Sequence, residues 1–327
     1  MSEKLVLTFG AACIDYIAVF DTFPKPEDKV RTQSLTLCGG GNAGNTSTCL
    51  SRLNINTKIV CKIGDDGNGK KILQDFKNDN VNTQEVLIKQ GMTTSLTYVI
   101  VDITNATRTC LFSPSAEEIL VDDVKKLGQS WLNGIDLVHF DSRSTPAAVE
   151  LARLVKQNNI LCTLDLEKYR PSLENLLLLI DYIVTTERYS LSCNETPVTT
   201  AVRLLKSDRC KFVVITKGKD GSMLVQKRIL ENKNENFNRV SKENIVYDDI
   251  EYDVINCPSW PIDQKDTMDT TGAGDAFIGG IIFSILQKWS IEKMMCFASY
   301  VAMRKLKGLG ARMTLPRLDE INFSIFD

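Results

Sequence analysis

The feature that most constrains the chain is a run of small residues, Asp269-Thr270-Thr271-Gly272-Ala273-Gly274-Asp275, followed by the apolar segment Ile278–Leu286. The apolar segment is long enough to predict a buried helix. Gly272, Ala273 and Gly274 carry almost no side chain, so their backbone N–H groups can approach a ligand closely. The start of a helix adds unpaired N–H groups and the positive end of the helix dipole. Together these features predict an anion site suited to a phosphate group.

Asp275 lies at the edge of this predicted anion site. A carboxylate beside a bound phosphate suggests a base that takes a proton from an attacking hydroxyl group. The ordinary alternative is that Asp275 caps the helix and that the glycines form only a tight turn. The preceding Asp-Thr-Thr and the apolar helix favour the catalytic interpretation. The predicted catalytic residues are Gly272, Ala273, Gly274 and Asp275.

The same stretch closely resembles a signature of the ribokinase-like (PfkB) carbohydrate kinases. The resemblance implies that the turn is an anion hole for the transferred phosphate and that Asp275 is the catalytic base. It also implies an enzyme that moves the γ-phosphoryl group of ATP to a hydroxyl group of a small sugar, with Mg²⁺ accompanying ATP. Asp269 and Thr271 match family positions whose oxygens bind a monovalent cation, so the resemblance also implies activation by K⁺.

A second glycine cluster, Gly39–Asn45, has two interpretations. Gly39-x-Gly41-x-x-Gly44 fits the dinucleotide fingerprint, which would indicate an oxidoreductase, but that fingerprint should directly follow the first strand. Here a long stretch that includes a predicted strand pair intervenes. The resemblance offers the other interpretation, because the cluster is closest to the Gly-Gly-Asn-x-x-Asn sugar loop of ketohexokinases. It assigns sugar binding to Asp15, Gly40, Gly41, Asn42, Asn45 and Asp275.

The acceptor that this cluster predicts is a neutral sugar. Gly39–Asn45 contains no arginine or lysine to pair with a phosphate on the acceptor, and Asp15 would repel one. Arg143 and Lys168, at predicted strand ends, are the basic residues that would change this if they approached the loop. The resemblance favours a ketose or a pentose. A nucleoside, the alternative within the family, would also need an aromatic wall for its base.

The nucleotide site rests mainly on the resemblance. It assigns nucleotide binding to Arg108, Thr216, Gly218, Gly221, Gly272, Gly274 and Ser299. For Arg108 the alternative is a solvated charge on a hairpin. The chain departs from the family at Thr185–Arg188, where the family usually carries Asn-x-x-Glu. This departure leaves the residues that organise Mg²⁺ open, and it keeps a non-catalytic sugar- or nucleotide-binding protein as an alternative.

Another glycine-rich segment, Gly64–Lys71, imitates a phosphate-binding loop. It has the GxxxxGK spacing, but Lys71 stands where the Mg²⁺-binding Ser or Thr belongs, and two acids occupy the phosphate cradle. We therefore predict a surface turn that leads into a helix.

The wider pattern predicts a three-layer α/β/α fold. Strands and helices alternate from about residue 115 onward, which indicates a doubly wound, mostly parallel sheet with both faces covered. Residues at about 11–38 and 93–114 read as extra strands and predict a small β-sheet lid on a single domain, 1–327. In the resembled family such a lid often joins a homodimer. Residues 226–249, rich in Asn, Lys and Glu, predict a mobile insertion.

Composition excludes several other functions. Lys+Arg total 39 and Asp+Glu total 41, so no basic field favours nucleic acid or an anionic membrane. Neither a bilayer-length apolar run nor a signal peptide is evident, and the ten cysteines lack CxxC spacing, which predicts a reduced, cytoplasmic protein. The single histidine, His139, lies in a strand-like string, so Ser-His or metal-His chemistry is not expected.

Overall fold

A nine-stranded sheet organises the chain in the computed structural model, which describes residues 4–105, 107–115, 117–228, 239–263 and 266–326. The six strands at one side are parallel, and the three at the other edge are antiparallel. Numbered along the chain, the strands lie across the sheet in the order β14 (Ser241–Tyr247), β15 (Ile250–Cys257), β13 (Ser222–Lys227), β12 (Phe212–Thr216), β11 (Tyr182–Thr186), β10 (Leu161–Leu166), β9 (Leu137–Phe140), β1 (Leu5–Phe9) and β4 (Asn56–Val60).

Helices cover both faces of this sheet, as the apolar strands require. One face packs against α1 (Asn42–Arg52), α8 (Ala273–Leu286) and α9 (Ile291–Lys305). The other face packs against α3 (Val121–Trp131), α4 (Thr145–Gln157), α5 (Leu173–Leu177), α6 (Glu187–Ser192) and α7 (Pro197–Leu204). The predicted three-layer α/β/α fold is therefore confirmed. No helix in the described ranges is both long and apolar enough to span a membrane.

A second sheet of four strands forms the predicted lid. Its order is β3 (Ser34–Gly40), β2 (Cys13–Phe20), β7 (Leu96–Asp102) and β8 (Thr107–Ser113), and the central pair is parallel. A further pair, β5 (Lys62–Gly64) and β6 (Leu87–Lys89), lies beside α2 (Gly67–Asn78). Because β3 ends at Gly40 and α1 begins at Asn42, the Gly39–Asn45 segment connects the lid to a helix that packs on the main sheet.

These positions decide the interpretation of two glycine-rich segments, Gly39–Gly44 and Gly64–Lys71. Gly39–Gly44 follows a lid strand and not β1, which disfavours the dinucleotide interpretation. Asp66 is the N-cap of α2 and accepts a hydrogen bond from the Gly69 N–H at 2.8 Å. The Gly64–Lys71 segment is therefore a capped helix start, as the prediction of a turn before a helix required.

Two sequence predictions need correction. The predicted insertion at 226–249 is wrong at both ends, because Gln226 and Lys227 end β13 and Ser241–Tyr247 pair with β15. The polar segment at its centre, 229–238, lies outside the described residues. Within the segment at about 11–38 that was predicted to hold extra strands, the second strand begins only at Ser34, where its pairing with Val19 of β2 starts.

Candidate active site at the start of helix α8

The predicted anion turn, Gly272–Gly274, leads into the first turn of α8. Gly272 is the N-cap, and its φ of 76° lies in the left-handed region that glycine adopts readily. The first helical bond runs from Ala276 N–H to the Gly272 carbonyl at 2.9 Å, so the N–H groups of Gly274 and Asp275 precede the helical ladder. Gly274 is exposed, and a Cβ there would have no atom within 4 Å. The turn is thus open on the side that a ligand would occupy.

Asp275 lies in the first turn of α8 and is not its cap. Its carboxylate is buried, and Oδ2 accepts a hydrogen bond from Asn45 Nδ2 at 2.8 Å. Burial raises the pKa of Asp275 from 3.8 to about 7; the bond from Asn45 opposes the rise, and the Glu167 and Asp141 carboxylates add to it. A carboxyl group that titrates near neutrality is well suited to accept a proton.

The Gly39–Asn45 segment, here called the sugar loop after its predicted role, is held in place by Arg312. This arginine is buried and donates to Asn45 Oδ1 at 2.9 Å and to the Gly40 carbonyl at 2.7 Å. Its guanidinium also lies 4.8 Å from the centre of the Phe76 ring. A continuous chain of hydrogen bonds therefore runs from Arg312 through Asn45 to Asp275. Arg312 was not among the predicted site residues, and the only sequence signal for it is its place just after Gly310-Ala311.

Asp15 and the glycines of the sugar loop form a closely packed floor. A Cβ at Gly40 would overlap the Asp15 carboxylate, and Gly41, with φ of 85°, lies against the backbone of Ala11. Burial raises the pKa of Asp15. These contacts bring Asp15, Gly40, Gly41 and Asn45 into one patch beside Asp275.

Carboxylates from the ends of two parallel strands surround the other side of the loop. Asn42 donates to Asp165 Oδ2 at 2.9 Å, and Arg143 lies 3.1 Å from Glu167 and 3.3 Å from Asn42 Oδ1. Burial, with the neighbouring Glu167 and Asp275 charges, raises the pKa of Asp165 well above its ordinary range. Burial opposes the charge of Arg143, but the surrounding carboxylates hold its pKa above the ordinary value. The cluster holds more carboxyl groups than guanidinium groups.

Asp141, at the end of β9, is a structural clamp within this cluster. It accepts hydrogen bonds from the backbone N–H groups of Ala11 at 2.6 Å, Arg143 at 2.9 Å and Ala43 at 3.3 Å. Burial raises its pKa, which these bonds partly oppose. It fixes the end of β1 and the start of α1 in one position.

Apart from Gly272 and Gly274, the residues predicted to bind nucleotide lie at the turn after β12, on α9 and on the lid. Gly218 and Gly221 both have positive φ and bound the turn after β12, and Thr216 ends that strand. Ser299 of α9 accepts from Trp260 N–H at 2.9 Å, and Ser259 donates to the Lys219 carbonyl at 2.7 Å. The Pro258–Trp260 segment therefore links α9 to the turn that contains Gly218. Arg108 is exposed and is the second residue of β8.

The predicted cation ligands, Asp269 and Thr271, are already bound by protein donors. Asp269 Oδ1 accepts from the N–H of Thr271 at 2.8 Å and from its Oγ1 at 2.7 Å, and Oδ2 accepts from Gly310 N–H at 2.8 Å. The Asp269 carbonyl accepts from Lys305 Nζ at 2.6 Å. Burial opposes ionisation, but Lys305 and these bonds hold the pKa of Asp269 below its ordinary value. In the described residues no group of three or more His, Cys, Asp or Glu side chains is arranged to hold a metal ion.

Comparison with known proteins identifies the family of the chain. The family model described as pfkB family carbohydrate kinase matches residues 3–248 and 255–318. Ribokinase of Staphylococcus aureus (strain COL) is 23% identical over 330 residues, which cover 98% of this chain and 99% of that protein. Ketohexokinase of Mus musculus is 22% identical over 314 residues, which cover 93% of this chain and 97% of that protein.

Two further similarities concern length and fold. The bifunctional ribokinase/ribose-5-phosphate isomerase A of Fructilactobacillus sanfranciscensis is 21% identical over 326 residues, which cover 97% of this chain but 55% of that longer protein. The solved structure of Arabidopsis thaliana ribokinase complexed with ribose and ATP superposes with a TM-score of 0.75 at 20% identity, covering 98% of this chain and 97% of that one. At this identity the structural likeness shows a shared fold.

Proposed function

Since the chain belongs to the pfkB family of carbohydrate kinases, we propose that it transfers the γ-phosphoryl group of ATP to a hydroxyl group of a small neutral sugar, a ketose or a pentose. The observation that carries this proposal is the hydrogen bond between Asn45 and Asp275. It joins the sugar loop to the first turn of α8, beside the open face of Gly274. A hydroxyl group on the loop would thus lie next to both a base and an anion site.

In the proposed reaction Asp275 accepts the proton of the attacking hydroxyl group. Its carboxyl group has a pKa of about 7. Near neutral pH it is therefore ionised often enough to act as a base, and it binds a proton more tightly than an ordinary aspartate does. The N–H groups of Gly272 and Gly274 and the positive end of α8 stabilise the negative charge on the phosphoryl group as it moves. Ala273 shapes the turn, and its own N–H donates to the Thr270 carbonyl at 3.3 Å. Such positioning and electrostatic stabilisation account for most catalysis of phosphoryl transfer.

The sugar-binding roles follow from what each group offers. Asp15 supplies a carboxylate that accepts from hydroxyl groups, and Asn42 and Asn45 supply amides that donate and accept. Gly40 and Gly41 leave the backbone bare beneath the ring. Arg312 does not touch the sugar in this proposal; it is a positioning residue that orients Asn45.

The charges around the loop support a neutral acceptor. Two arginines do approach the sugar loop, but Arg143 is paired with Glu167 and Arg312 is bound to Asn45 and Gly40. The carboxyl groups of Asp165, Asp275 and Glu167 face the same region, so a phosphate on the acceptor would meet acidic groups in place of the basic partners that it needs. A hydroxyl-rich neutral molecule has no such cost.

ATP is proposed to lie along the open surface beyond the anion turn. Thr216, Gly218 and Gly221 would contact the nucleoside, as would Ser299, whose hydroxyl already binds the Trp260 backbone. Arg108 would reach the phosphates from the lid. A Cβ at Gly218 or at Gly274 would have no atom within 4 Å, so both positions border open space. This space supports the proposed arrangement, because a ligand could occupy it.

Mg²⁺ is proposed to enter with ATP. The neighbouring carboxyl groups of Asp165 and Glu167 offer oxygen ligands of the kind that Mg²⁺ takes, directly or through its waters, while it binds mainly to phosphate oxygens. When bound, it would neutralise charge on the phosphates. The Asp269–Thr271 segment does not fit exchangeable K⁺ in the same way, because the Lys305 ammonium group already binds the Asp269 carbonyl.

A nucleoside acceptor is the second candidate, and Phe112 favours it. This lid residue is about half exposed, and its ring centre lies 6.0 Å from Arg143 Cζ, next to the sugar loop. It could therefore be the aromatic wall that a base needs. Under this candidate Phe112→Ala should weaken adenosine binding strongly, whereas under the sugar proposal ribose and fructose should be little affected.

Two smaller proposals concern the whole protein. Leu35, Tyr98 and Leu111 leave apolar surface exposed on the lid, which suits a homodimer joined through it; sedimentation of Leu111→Lys would test this, with a monomer expected. The ten cysteines are all unpaired, which supports a reducing cytoplasmic environment.

The proposed function is tested by ATP turnover with fructose, ribose, adenosine and fructose 1-phosphate in competition. We expect fructose or ribose to be phosphorylated most efficiently, measured as kcat/KM. A clear preference for fructose 1-phosphate would contradict the neutral acceptor, and a preference for adenosine would establish the second candidate. Binding of ATP without turnover of any acceptor would favour the non-catalytic alternative.

A further inference from the structure

Lys305 is a fully buried lysine at the end of α9. Proteins rarely bury lysine completely unless its charge is paired. Its Nζ donates to the Gly308 carbonyl at 3.3 Å and, more closely, to the Asp269 carbonyl at 2.6 Å. A lysine that only capped its own helix would reach carbonyls of that helix or just beyond it. The shorter bond instead crosses to the segment that leads into the anion turn.

This ammonium group lies between two loops that together support the anion turn. One is Met268–Thr271, and the other, here called the α9 loop, is Leu306–Arg312. The loops are also joined directly, by Gly310 N–H to Asp269 Oδ2 at 2.8 Å and by Met268 N–H to the Leu306 carbonyl at 2.9 Å. Lys305 is therefore the one cation, among the described residues, whose Nζ bonds to carbonyls of both loops.

The α9 loop also touches the catalytic groups. Ala311 packs so closely on Gly272 that a Cβ at Gly272 would lie 2.5 Å from the Ala311 Cβ. The next residue, Arg312, holds Asn45, which in turn holds Asp275. A shift of the α9 loop would consequently move the N-cap of α8 and the partner of the proposed base together.

Backbone carbonyls and a carboxylate around a single positive charge are the environment in which a weakly hydrated monovalent cation binds. Here the side chain of the protein supplies that charge. An exchangeable ion in the same place would have to displace Nζ from the Asp269 carbonyl and would meet the like charge of the ammonium group.

We propose that Lys305 is a built-in cation, which replaces an exchangeable monovalent ion in holding the anion turn and the α9 loop together. The protein then needs neither K⁺ nor Na⁺ for stability or for catalysis. The effect on catalysis rests on the proposed kinase function, whereas the effect on stability does not.

The first experiment uses the unmodified protein in KCl, NaCl and tetramethylammonium chloride at equal ionic strength, with Mg²⁺ present throughout. We expect Tm to agree within about 1 °C, because an ion without a site in the folded protein adds no binding free energy. The kcat for the sugar that the substrate panel identifies should also be the same in the three salts. A rise in Tm or in kcat that is specific to K⁺ would overturn the inference.

The second experiment empties the position with Lys305→Ala. Without K⁺ we expect kcat to fall about 10²-fold, the usual cost of losing one electrostatic contributor to such a site, together with a lower Tm. K⁺ at about 100 times its Kd should then raise Tm by several degrees and recover about tenfold in kcat, whereas tetramethylammonium, which is too large, should do neither. No response of either quantity to K⁺ would count against a cation site.

Two matched variants complete the test. Lys305→Met fills the space without charge, so it should fold, stay impaired and ignore K⁺; full kcat in this variant would show that the charge is unimportant. Lys307→Ala removes an exposed lysine from the same loop and should behave like the unmodified protein. The thermal measurements need no turnover, so absence of kinase activity would refute the proposed function while leaving the cation test intact.

Discussion

The sugar loop and the anion turn are both rich in glycine, but their glycines have different neighbours. In the sugar loop a Cβ at Gly40 would overlap the Asp15 carboxylate, and one at Gly44 would overlap the Arg312 guanidinium. In the anion turn a Cβ at Gly274 would meet nothing within 4 Å. The protein itself therefore requires glycine in the first segment, whereas at Gly274 the fold leaves room for a side chain.

This difference separates two reasons for a glycine at a binding site. The sugar-loop glycines let the protein pack its own buried charges against the backbone, and their loss should reduce stability. Gly274 keeps a space open at a helix N-terminus, and its loss should reduce ligand binding. Gly272 resembles the sugar-loop glycines, because its φ is positive and a Cβ there would lie 2.5 Å from the Ala311 Cβ. The predictions below test this separation.

The largest effect should come from Asp275→Asn, at the point where the two segments meet. Asparagine can still accept the bond from Asn45, but it cannot take a proton. We expect kcat to fall by about 10²–10⁴-fold with ATP affinity nearly unchanged. Steady-state kinetics and ATP titration by calorimetry measure both. The matched control is Asp122→Asn, an exposed acid in the first turn of α3, which should keep full activity; near-normal kcat in Asp275→Asn would mean that this acid is not the base.

A smaller but more selective effect is expected for Gly274→Val. The side chain would occupy the space proposed for the phosphoryl group, so kcat/KM for ATP should fall by about 10²-fold while Tm stays unchanged. Gly67→Val is the matched control, because Gly67 is the first residue of α2 and a Cβ there would also have no atom within 4 Å. If both variants keep full activity, no phosphate lies at the anion turn.

The opposite pattern is expected for Gly44→Ala. A methyl group there would press on Arg312 and on the Phe76 ring, and overpacking of this kind costs about 1–3 kcal/mol of unfolding free energy. Urea unfolding should show the loss through a lower midpoint with the same slope. A variant with unchanged stability would remove the distinction between the two kinds of glycine.

The mildest test is the pH dependence of the unmodified enzyme. Asp275 has a pKa raised to about 7, so kcat/KM for the sugar should fall about tenfold per pH unit below 7 as the base takes up a proton. Stability has the opposite sign: the raised pKa stabilises the folded state at low pH, and this contribution is lost as pH rises through 7. Asp275→Asn should therefore gain in Tm relative to the unmodified protein as pH rises from about 4 to 7, with little further gain above pH 8. A difference in Tm that does not change with pH would contradict the raised pKa.

The sequence predicted the elements well where local pattern and tertiary structure agree. Apolar strands such as Phe212–Thr216 and the uniformly apolar helix at Ile278–Leu286 can only be buried, so they fall where expected. The strand Ser241–Tyr247 was missed because it is polar and mostly exposed; its pairing with β15, not its composition, makes it a strand.

The site was predictable in its ligand-facing parts and not in its supports. Asp275 and Asn45 belong to recognisable motifs, but nothing in the local sequence distinguishes Lys305 from its neighbour Lys307. One is buried and the other is exposed because α9 ends with only one of them directed at the Asp269 carbonyl. Burial of a charge depends on which distant segments meet, and a single sequence does not contain that information.

The bond between Asn45 and Arg312 also limits when the sugar loop can be completed during translation, because the two residues are 267 positions apart. At the usual speed of translation, that distance corresponds to roughly 15–50 s of synthesis. Throughout this interval the Gly40 carbonyl and the Asn45 amide have been made, but their guanidinium partner has not. A ribosome-bound chain released before Arg312 would carry the whole sugar loop and still lack the contact that shapes it. Contacts this distant in sequence also slow spontaneous refolding, so sugar binding should be among the last properties to return after dilution from denaturant.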